Sequence, residues 1–562
     1  MNEKAKKGLI LGVIIVLIIA LVFGGLFIFR NIGKTDEQIS EEDAASRLSK
    51  LYSHIKVNEK DPIKSSVNLD ENDAKDELPS IDKYPLSVSN TTDTYVEIFC
   101  SPEKSGTSTD GWMNEVANKF NKEKIVIDGK EVSVAIRNLA SGLATDYITS
   151  GKYVPDGFSP SNDFWGEMVS ADGVKISTVK DKLVGNVAGI LLSNDKQKEF
   201  IDKYGSINMK TITQATEAGE FAMGYTNPFA SSTGLNFLLS TLYTYQPDNI
   251  LGDEAIAGFN KFQNNVPFVS YTTMQMRDAV SSGELDGFVL EYQTYFNDPD
   301  MKRDYKFTAF GQRHDNPLYS VGDISDTKSQ ILDKFAEYCM NDENQKLASN
   351  YGFNQLDNYK SESPSFKGDD IIKAQKLYKE NKNGGKPIIA VFVADISGSM
   401  EGEPINGLKQ SLVNSIKYIN SDNYIGLVSY STNVNIDVPI GKFDLNQKSL
   451  FKGAVENLDS GGSTATFDAI VVATDMLNKA KEEHPECKTM MFVLSDGNQM
   501  GGCSLNDVTP VLDAYKIPIY TIGYNANIEA LERISAINEA ATINADSDDI
   551  IYKLKNLFNS EM

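Results

Sequence analysis

The most continuous hydrophobic segment of the chain lies close to its beginning. Residues 8–29 (GLILGVIIVLIIALVFGGLFIF) contain no charged side chain. As a helix this segment would be about 33 Å long at about 1.5 Å per residue, enough to cross a hydrocarbon core of about 30 Å. A cleaved signal peptide is the alternative, but its apolar region would be only roughly 7–15 residues long. The pattern therefore predicts a transmembrane helix over 8–30.

Charged residues on either side of this segment predict its orientation. Lys4, Lys6 and Lys7 precede it, whereas Arg30 and Lys34 follow it. This small excess of positive charge favours a cytoplasmic N-terminus over residues 1–7. No second apolar segment of this length follows. We therefore expect a single-pass protein of the cell membrane with the bulk of the chain extracytoplasmic.

Residues 31–92 have a different pattern, polar and with little periodicity. They are rich in Asp, Glu, Ser, Asn and Lys and include Pro62, Pro79 and Pro85. A segment of this composition buries too little apolar surface to offset the entropy lost on ordering. The prediction is a solvated stalk or linker, with room for a short helix around residues 41–54.

Strand-like and helix-like patterns alternate from Tyr95 to about Gln355, which predicts a largely parallel sheet with covering helices. We assign this domain to residues 93–362. A linker helix follows within 363–385, where Gly384 and Gly385 end the helical pattern. The expected strands are Tyr95–Cys100, Val132–Leu139 and Val187–Leu192, and the expected helices are Trp112–Phe120, Leu143–Thr149, Leu235–Leu242 and Ile371–Glu380.

Small hydroxyl residues are concentrated where these predicted strands end. They occur at Ser101, at Ser141, in the segment 157–161 and in the segment 224–234. Ligands of open α/β sheets bind beyond the carboxyl ends of the strands, and hydroxyls with free N–H groups there can hold an anion or a polar solute. Ordinary capping of the following helices by Ser and Thr is the alternative.

Two of these segments, LASGLATDYITSGKYVPDGFSPSN and GYTNPFASSTGLNFL, resemble two-lobed bacterial extracellular solute-binding proteins, particularly the molybdate-type branch. The resemblance implies a type 2 periplasmic-binding-protein-like fold with a small polar or anionic solute between the lobes. Acidic residues abound in this region, which departs from an oxyanion pocket, and a fold can persist while its ligand changes or is lost. The residues that the resemblance implicates are Ser101, Ser141, Ser159, Thr226 and Ser232, with Tyr292 as a weaker candidate.

The last domain, residues 386–562, begins with a run that is apolar on both faces, as expected of a central parallel strand. Further strand-like and helix-like stretches predict a doubly wound, Rossmann-like α/β sheet. The predicted strands are Ile388–Ala394, Tyr424–Tyr430, Thr489–Leu494 and Ile517–Ile522, and the predicted helices are Ile405–Ile419, Phe467–Ala480 and Ile528–Ile537.

Oxygen-bearing side chains follow three segments of this domain, at Asp395, Ser397, Ser399, Thr464 and Asp496. Hard cations such as Mg²⁺ prefer oxygen ligands, and Mn²⁺ or Ca²⁺ is the alternative. The Asp-Ser-Ser string alone could be a turn followed by a helix cap. The convergence of all three segments at one sheet edge instead predicts a divalent-metal site.

The whole segment 386–562 resembles the von Willebrand factor A (VWA) domain, and the five residues match its metal-ion-dependent adhesion site (MIDAS). The resemblance implies that Ser397 and Ser399 bind the metal directly, while Asp395, Thr464 and Asp496 bind directly or through water. It also implies that an acidic side chain of a protein partner completes the coordination. With only two carboxylates among the ligands, the ion would stay electrophilic toward that partner.

Composition and motifs exclude several other functions. The net charge of -24 disfavours nucleic acid as a partner. His54, His314 and His484 have no partner motif, and we expect all three at the surface. HExxH, P-loop and GxSxG motifs are absent from the sequence, so we expect no enzyme. A hydrolase using paired carboxylates remains an alternative.

These features together predict a membrane-anchored extracytoplasmic binding protein. Its terminal domain would recognise a protein partner through the MIDAS. The alternative is a transport or sensing component, in which the middle domain captures a small solute and the VWA domain docks an assembly partner.

Overall fold

The computed structural model describes residues 39–67, 77–266, 269–270, 285–497, 501–524, 535, 542–545 and 549–562. The predicted transmembrane helix and the residues before it lie outside these ranges, as does nearly all of the predicted helix Ile528–Ile537. Among the described helices, none combines the length and the hydrophobicity needed to cross a membrane.

The elements are numbered in chain order. The strands are β1 Val57–Glu59, β2 Leu86–Val88, β3 Thr94–Cys100, β4 Val126–Ile127, β5 Lys130–Asn138, β6 Gly157–Ser159, β7 Ile176–Lys180, β8 Asn186–Ser193, β9 Met223–Thr226, β10 Val269–Ser270, β11 Gly287–Glu291, β12 Tyr305–His314, β13 Leu318–Val321, β14 Ile388–Asp395, β15 Tyr424–Tyr430, β16 Val434–Lys442, β17 Lys488–Ser495, β18 Ile519–Tyr524 and β19 Thr542–Ala545. The helices are α1 Glu41–Ser53, α2 Pro102–Ser105, α3 Trp112–Lys122, α4 Ser141–Ser150, α5 Phe164–Ala171, α6 Asn194–Tyr204, α7 Met209–Glu217, α8 Ser232–Tyr245, α9 Asp253–Gln263, α10 Tyr292–Asn297, α11 Pro299–Asp304, α12 Asp326–Cys339, α13 Asp342–Asn350, α14 Gly368–Asn381, α15 Glu403–Ser415, α16 Leu445–Glu456, α17 Thr466–Glu483, α18 Leu505–Tyr515 and α19 Ile550–Glu561.

The chain forms two compact units. The described part of unit 1 comprises residues 39–67, 387–416, 421–497, 501–524, 535 and 542–545. The described part of unit 2 comprises residues 77–266, 269–270, 285–386, 417–420 and 549–562. Most of unit 2 is therefore inserted, along the chain, between two parts of unit 1, and the C-terminal residues belong to unit 2 as well.

Unit 1 is built on one sheet with the strand order β1-β16-β15-β14-β17-β18-β19. Every residue of β14 is buried, because this strand is covered on both faces. Both neighbours, β15 and β17, run parallel to it, whereas β16 is antiparallel. The chain turns from one side of the sheet to the other at β14, which confirms the doubly wound prediction. The carboxyl ends of β14 and β17 lie where such folds bind ligands.

Part of the segment predicted to be a solvated stalk is folded in unit 1. Ser40 caps α1, and Ala44 and Leu48 are buried on the face that packs against α17 and α18. Strand β1 then pairs in parallel with β16, placing Val57 opposite Val434. The stalk interpretation is corrected here, because an i, i+4 apolar pair suffices for a helix that finds a surface to cover.

Unit 2 contains two sheets, which agrees with the two-lobed fold that the resemblance implied, but the expectation of largely parallel pairing is wrong. One has the order β2-β5-β3-β6-β13-β7, with β4 on β5, and the other has the order β10-β9-β11-β8-β12. Both mix parallel and antiparallel pairs. The chain leaves the first sheet after β7 and returns to it at β13, so the unit has two lobes joined by two crossings.

The C-terminal helix α19 is part of unit 2. Tyr552 belongs to the large apolar core of this unit. The backbone carbonyl of Phe558 accepts a hydrogen bond of 2.5 Å from the buried ammonium of Lys382. These contacts tie the end of the chain to α14 and to the lobe that contains β10.

Candidate functional site

The carboxylate of Asp395 lies at the end of β14 and is fully buried. Its Oδ1 accepts a hydrogen bond of 2.8 Å from the backbone N–H of Ser397. Its Oδ2 accepts bonds from the hydroxyl of Ser495 at 2.6 Å and from that of Tyr430 at 3.3 Å. Three donors from three strand ends therefore fix the orientation of this carboxylate.

The two serines of the motif bring their hydroxyls together. Ser397 Oγ and Ser399 Oγ are 3.0 Å apart across a 3-10 turn at Gly398–Met400. Ser397 is buried, whereas Ser399 is exposed. The hydroxyl pair thus lies at the boundary between the protein interior and solvent.

The loop that carries Thr464 is tied to the loop that carries the serines. The N–H of Gly398 donates to the carbonyl of Gly462 at 3.0 Å, and the N–H of Gly461 donates to the carbonyl of Ile396 at 2.8 Å. Gly462 has a φ of 88°, and a Cβ at this position would lie 2.7 Å from Thr432 Oγ1. Only glycine fits there without strain. Thr464 itself is buried beside this contact.

Asp496 follows β17, the parallel neighbour of β14, and is nearly buried. Burial raises the pKa of Asp395; hydrogen bonds from Ser495 and Ser397 oppose the increase, and the charge on Asp496 adds to it. The two carboxylates are therefore close enough to interact.

The five predicted metal residues thus share one sheet edge, and their oxygen set fits a hard divalent cation. The described residues contain no group of three or more His, Cys, Asp or Glu placed to hold a metal ion. This edge would not form such a group, because only two of its five oxygen donors are carboxylates.

Three residues near this edge were not predicted to be metal ligands. Ser495 donates to Asp395 and accepts the N–H of Gly497 at 3.0 Å, and Tyr430 also contacts Asp395. Asp468 accepts the N–H of Cys503 at 2.7 Å and so supports the neighbouring loop. The hydroxyl directly before Asp496 was the one sequence signal that could have indicated a supporting role.

Unit 2 contains a cavity of about 260 Å³ at the strand ends of both its sheets. Three carboxylates line it, from Glu103 after β3, from Asp110 and from Glu291 at the end of β11. The cavity is also lined by four hydroxyl residues, Thr226, Ser231, Thr233 and Thr294, and by Pro102, Val289 and Leu290.

Of the six residues predicted to bind a solute, Thr226 is the one that lines this cavity. Ser101 lies behind it, donating to Glu103 Oε1 at 2.5 Å. Tyr292 packs its ring edge-on against Phe307, with ring centroids 5.0 Å apart.

The other predicted serines are buried outside the cavity lining. Ser141 Oγ accepts the N–H of Ser161 at 3.3 Å, and Ser232 Oγ accepts the indole N–H of Trp165 at 2.8 Å. Ser159 Oγ is buried and makes no hydrogen bond to the described residues. The structure therefore disperses these hydroxyls and brings carboxylates from distant segments together.

His314 was expected at the surface but is fully buried at the end of β12. Its Nδ1 lies 3.0 Å from Glu291 Oε1 and its Nε2 lies 3.0 Å from Asn236 Nδ2. The expectation was wrong because β12 extends through a segment that was interpreted as a loop. The final residues of this strand, which include His314, lie in the interior.

The fold and the edge geometry of unit 1 define the class of domain. Residues 390–559 match the family described as the von Willebrand factor type A domain, so this part of the chain contains a VWA domain. Among curated proteins, inter-alpha-trypsin inhibitor heavy chain H3 of Mus musculus is 32% identical over 180 residues, which are 29% of this chain and 20% of that protein. The chain thus spans about a fifth of the length of this relative.

Solved structures similar to parts of the chain include the following two. A von Willebrand factor type A protein from Catenulispora acidiphila has a TM-score of 0.28 and 16% identity, covering 31% of this chain and 42% of that chain. The periplasmic binding protein AfuA from Actinobacillus pleuropneumoniae has a TM-score of 0.38 and 11% identity, covering 52% and 99%.

Proposed function

We propose that the VWA domain recognises a protein partner through a divalent metal, Mg²⁺ in the first instance, held at the edge formed by β14 and β17. The observation that carries this proposal is the convergence of five oxygen donors on three loops, with Ser399 exposed. A bound Mg²⁺ would supply an electrophilic position for a carboxylate of the partner.

The residues of the chain have distinct roles in this proposal. Ser397 and Ser399 would hold the metal with their hydroxyls, and Thr464 and Asp496 would contact it directly or through water. Asp395 would be kept in one orientation by Ser495 and by the N–H of Ser397. This support reduces the entropy lost when a cation binds, because the coordinating carboxylate of Asp395 is already in place.

The setting of this site is part of the same proposal. We place the protein at the cell membrane, anchored through 8–30, with both units outside the cytoplasm. The role proposed is binding without catalysis, since the sequence contains none of the catalytic motifs considered above.

Calorimetric titration of the full-length chain with Mg²⁺ and Mn²⁺ tests the metal site directly. Wild type should bind, and Ser397→Ala/Ser399→Ala should lose binding while keeping its melting temperature. The matched control is Ser46→Ala/Ser49→Ala, which removes two exposed hydroxyls from α1. Equal metal affinity in both double variants would refute the site.

Partner recognition needs a second experiment with extracellular proteins as prey. A partner retained by wild type should be released by a chelator and should not be retained by Ser397→Ala/Ser399→Ala. Equal retention with and without chelator would show that the metal is not the contact.

Solute capture by unit 2 is the second candidate function, and the cavity at its strand ends favours it. In this case the VWA domain would dock an assembly partner. Thermal shifts of the full-length chain against a panel of small solutes would test capture independently of Mg²⁺.

A further inference from the structure

The cavity of unit 2 collects acidic groups from both lobes. Glu103 and Asp110 come from the lobe that contains β3, and Glu291 comes from the lobe that contains β11. Its volume, about 260 Å³, lies just below the usual range for small-molecule pockets and fits a small solute. The charges that face this space decide which class of solute it could hold.

Glu291 is held in place by buried groups on three elements. Oε1 accepts from Thr233 Oγ1 at 3.3 Å and from His314 Nδ1 at 3.0 Å, and Oε2 accepts from the side-chain amide of Asn186. Thr233, His314 and Asn186 are all buried. The carboxylate therefore has a fixed position at the cavity wall.

The imidazole of His314 does not neutralise Glu291. Asn236 Oδ1 accepts the N–H of Gln312 at 3.0 Å, and its Nδ2 donates to the carbonyl of Gln312 at 2.8 Å. This fixes the orientation of the amide, so its Nδ2 can only donate to His314 Nε2. The ring then carries its proton on Nδ1 and is neutral, leaving the full negative charge on Glu291.

Among the described residues, the ammonium group of Lys104 lies near these carboxylates, and it is already engaged. Lys104 is fully buried, and its Nζ contacts Ser101 Oγ at 2.6 Å, Asn316 Oδ1 at 2.8 Å and the carbonyls of Ser159 and Pro160 at 3.1 Å. Its distance to Glu103 Oε1 is 3.9 Å. Lys104 therefore offsets part of one carboxylate from behind the cavity wall and does not line the cavity.

Asp110 completes the charged lining. Its Oδ1 accepts the amide of Gln293 at 3.0 Å, a hydrogen bond that joins the two lobes of unit 2. Burial raises the pKa of Asp110, and the charge on Glu291 adds to the increase. The two carboxylates thus act on the same space, and a cation between them would relieve their repulsion.

The spacing of these groups favours an organic cation over a bare metal ion. Among the described residues, no three carboxylates converge closely enough to form a metal cluster. The hydroxyl residues Thr226 and Ser231 and the apolar residues Val289 and Leu290 also line the cavity. Ammonium groups are donors without acceptors, so carboxylates and hydroxyls suit them, while apolar side chains suit the methylene groups between them.

We propose that the cavity of unit 2 binds a small organic cation, with ammonium groups held by Glu291 and Asp110 and with Glu103 as a third carboxylate of the lining. This inference names the solute class for the second candidate function and rests on it. An anionic solute, one of the alternatives that the sequence resemblance implied, would face three carboxylates at this wall.

Calorimetric titration of the full-length chain with linear four-carbon probes tests the charge preference at constant length. The probes are diaminobutane, aminobutanol, butanediol and succinate, with inorganic sulfate as the oxyanion. Diaminobutane should bind most tightly, aminobutanol about tenfold or more weaker, and the neutral and anionic probes not at all. Asp110→Asn and Glu291→Gln should each weaken diaminobutane by about tenfold or more.

Glu337→Gln is the matched control, because this exposed glutamate on α12 pairs with Lys334 at the surface. It should bind diaminobutane like wild type. Melting temperatures identify any variant that fails to fold. If Glu291→Gln fails to fold, Asp110→Asn provides the test of the carboxylates.

Preference for butanediol, succinate or sulfate would overturn the cationic class while leaving solute capture intact. Failure of every probe would overturn the proposal together with solute capture by this cavity. Unchanged affinity for diaminobutane in Asp110→Asn and Glu291→Gln would overturn the assignment to these residues. The Mg²⁺ titration of the VWA domain reports separately on the first proposed function.

Discussion

Both units place polar groups at the carboxyl ends of their strands, but the two edges have opposite chemistry. The edge of β14 and β17 presents hydroxyls and two carboxylates, one of which is engaged by three donors. The cavity of unit 2 presents three carboxylates, with the buried ammonium of Lys104 behind them. The first set suits a metal that still attracts an outside carboxylate, and the second suits an outside cation.

The comparison shows that strand ends gather polar groups in both units, while the individual side chains decide which chemistry those groups present. Sheet topology brings loops together at the same kind of edge in both units. The sign of the uncompensated charge at that edge depends on a few side chains and on their hydrogen-bond partners. His314 illustrates this, because its neutral tautomer preserves the negative charge of Glu291.

Removing the buried ammonium should have the largest effect. We expect Lys104→Met to lower the free energy of unfolding by about 3–5 kcal/mol, because it leaves four acceptors and Glu103 without their donor. Chemical denaturation would measure this loss. Lys175→Met, which breaks a solvent-exposed pair with Asp323, should change stability far less. Similar losses in both variants would mean that Lys104 is not a structural cation.

Removing the central carboxylate of the other edge should abolish the effect of metal. At a Mg²⁺ concentration of about 100 Kd, wild type should gain about 2.7 kcal/mol of stability, and Asp395→Ala should gain none. Asp422→Ala, an exposed aspartate of unit 1, should behave like wild type. Thermal melts with and without Mg²⁺ would measure the difference, and a retained Mg²⁺ effect in Asp395→Ala would contradict the prediction.

Distorting the loop that carries Thr464 should have an intermediate effect. Gly462→Ala forces a Cβ against Thr432 Oγ1 and strains the backbone, which should cost about 2 kcal/mol and weaken Mg²⁺ binding. Gly501→Ala, where a Cβ would meet no atom within 4 Å, is the control. Titration and melting of both variants would decide whether the glycine is needed.

Acidification should have a smaller, graded effect on metal binding. The pKa of Asp395 is raised in the folded chain, so the protonated form of this carboxyl is favoured there. As the pH falls, a metal ion must displace the proton from Asp395 in order to bind. Mg²⁺ affinity should fall by up to about tenfold per pH unit below the raised pKa. Ser495→Ala removes a hydrogen bond that lowers this pKa, so its loss of affinity should begin at a higher pH. Titrations across the acidic range that show identical profiles would contradict this role of Ser495.

Much of the fold could be predicted because its elements are encoded locally. Strand β15 occupies the predicted residues Tyr424–Tyr430, and β14 extends the prediction Ile388–Ala394 by Asp395 alone. Their apolar runs are long, and burial on both faces makes them easy to recognise. Strand β16 was missed because it is antiparallel, bulged and only partly buried, so its pattern lacks a clear period.

Sequence also determined which residues could form the candidate metal site of unit 1, because their motif specifies residue type and spacing together. It could not identify Tyr430 as a donor to Asp395, nor the joint placement of Glu103, Asp110 and Glu291, since none of these follows from local spacing. Similarly, Asn58 contacts Asn435 across 377 residues, a pairing that placed part of the expected stalk in unit 1. Local hydrophobic periodicity determined the elements, whereas the tertiary structure decided which strand ends meet and therefore which charges face one another.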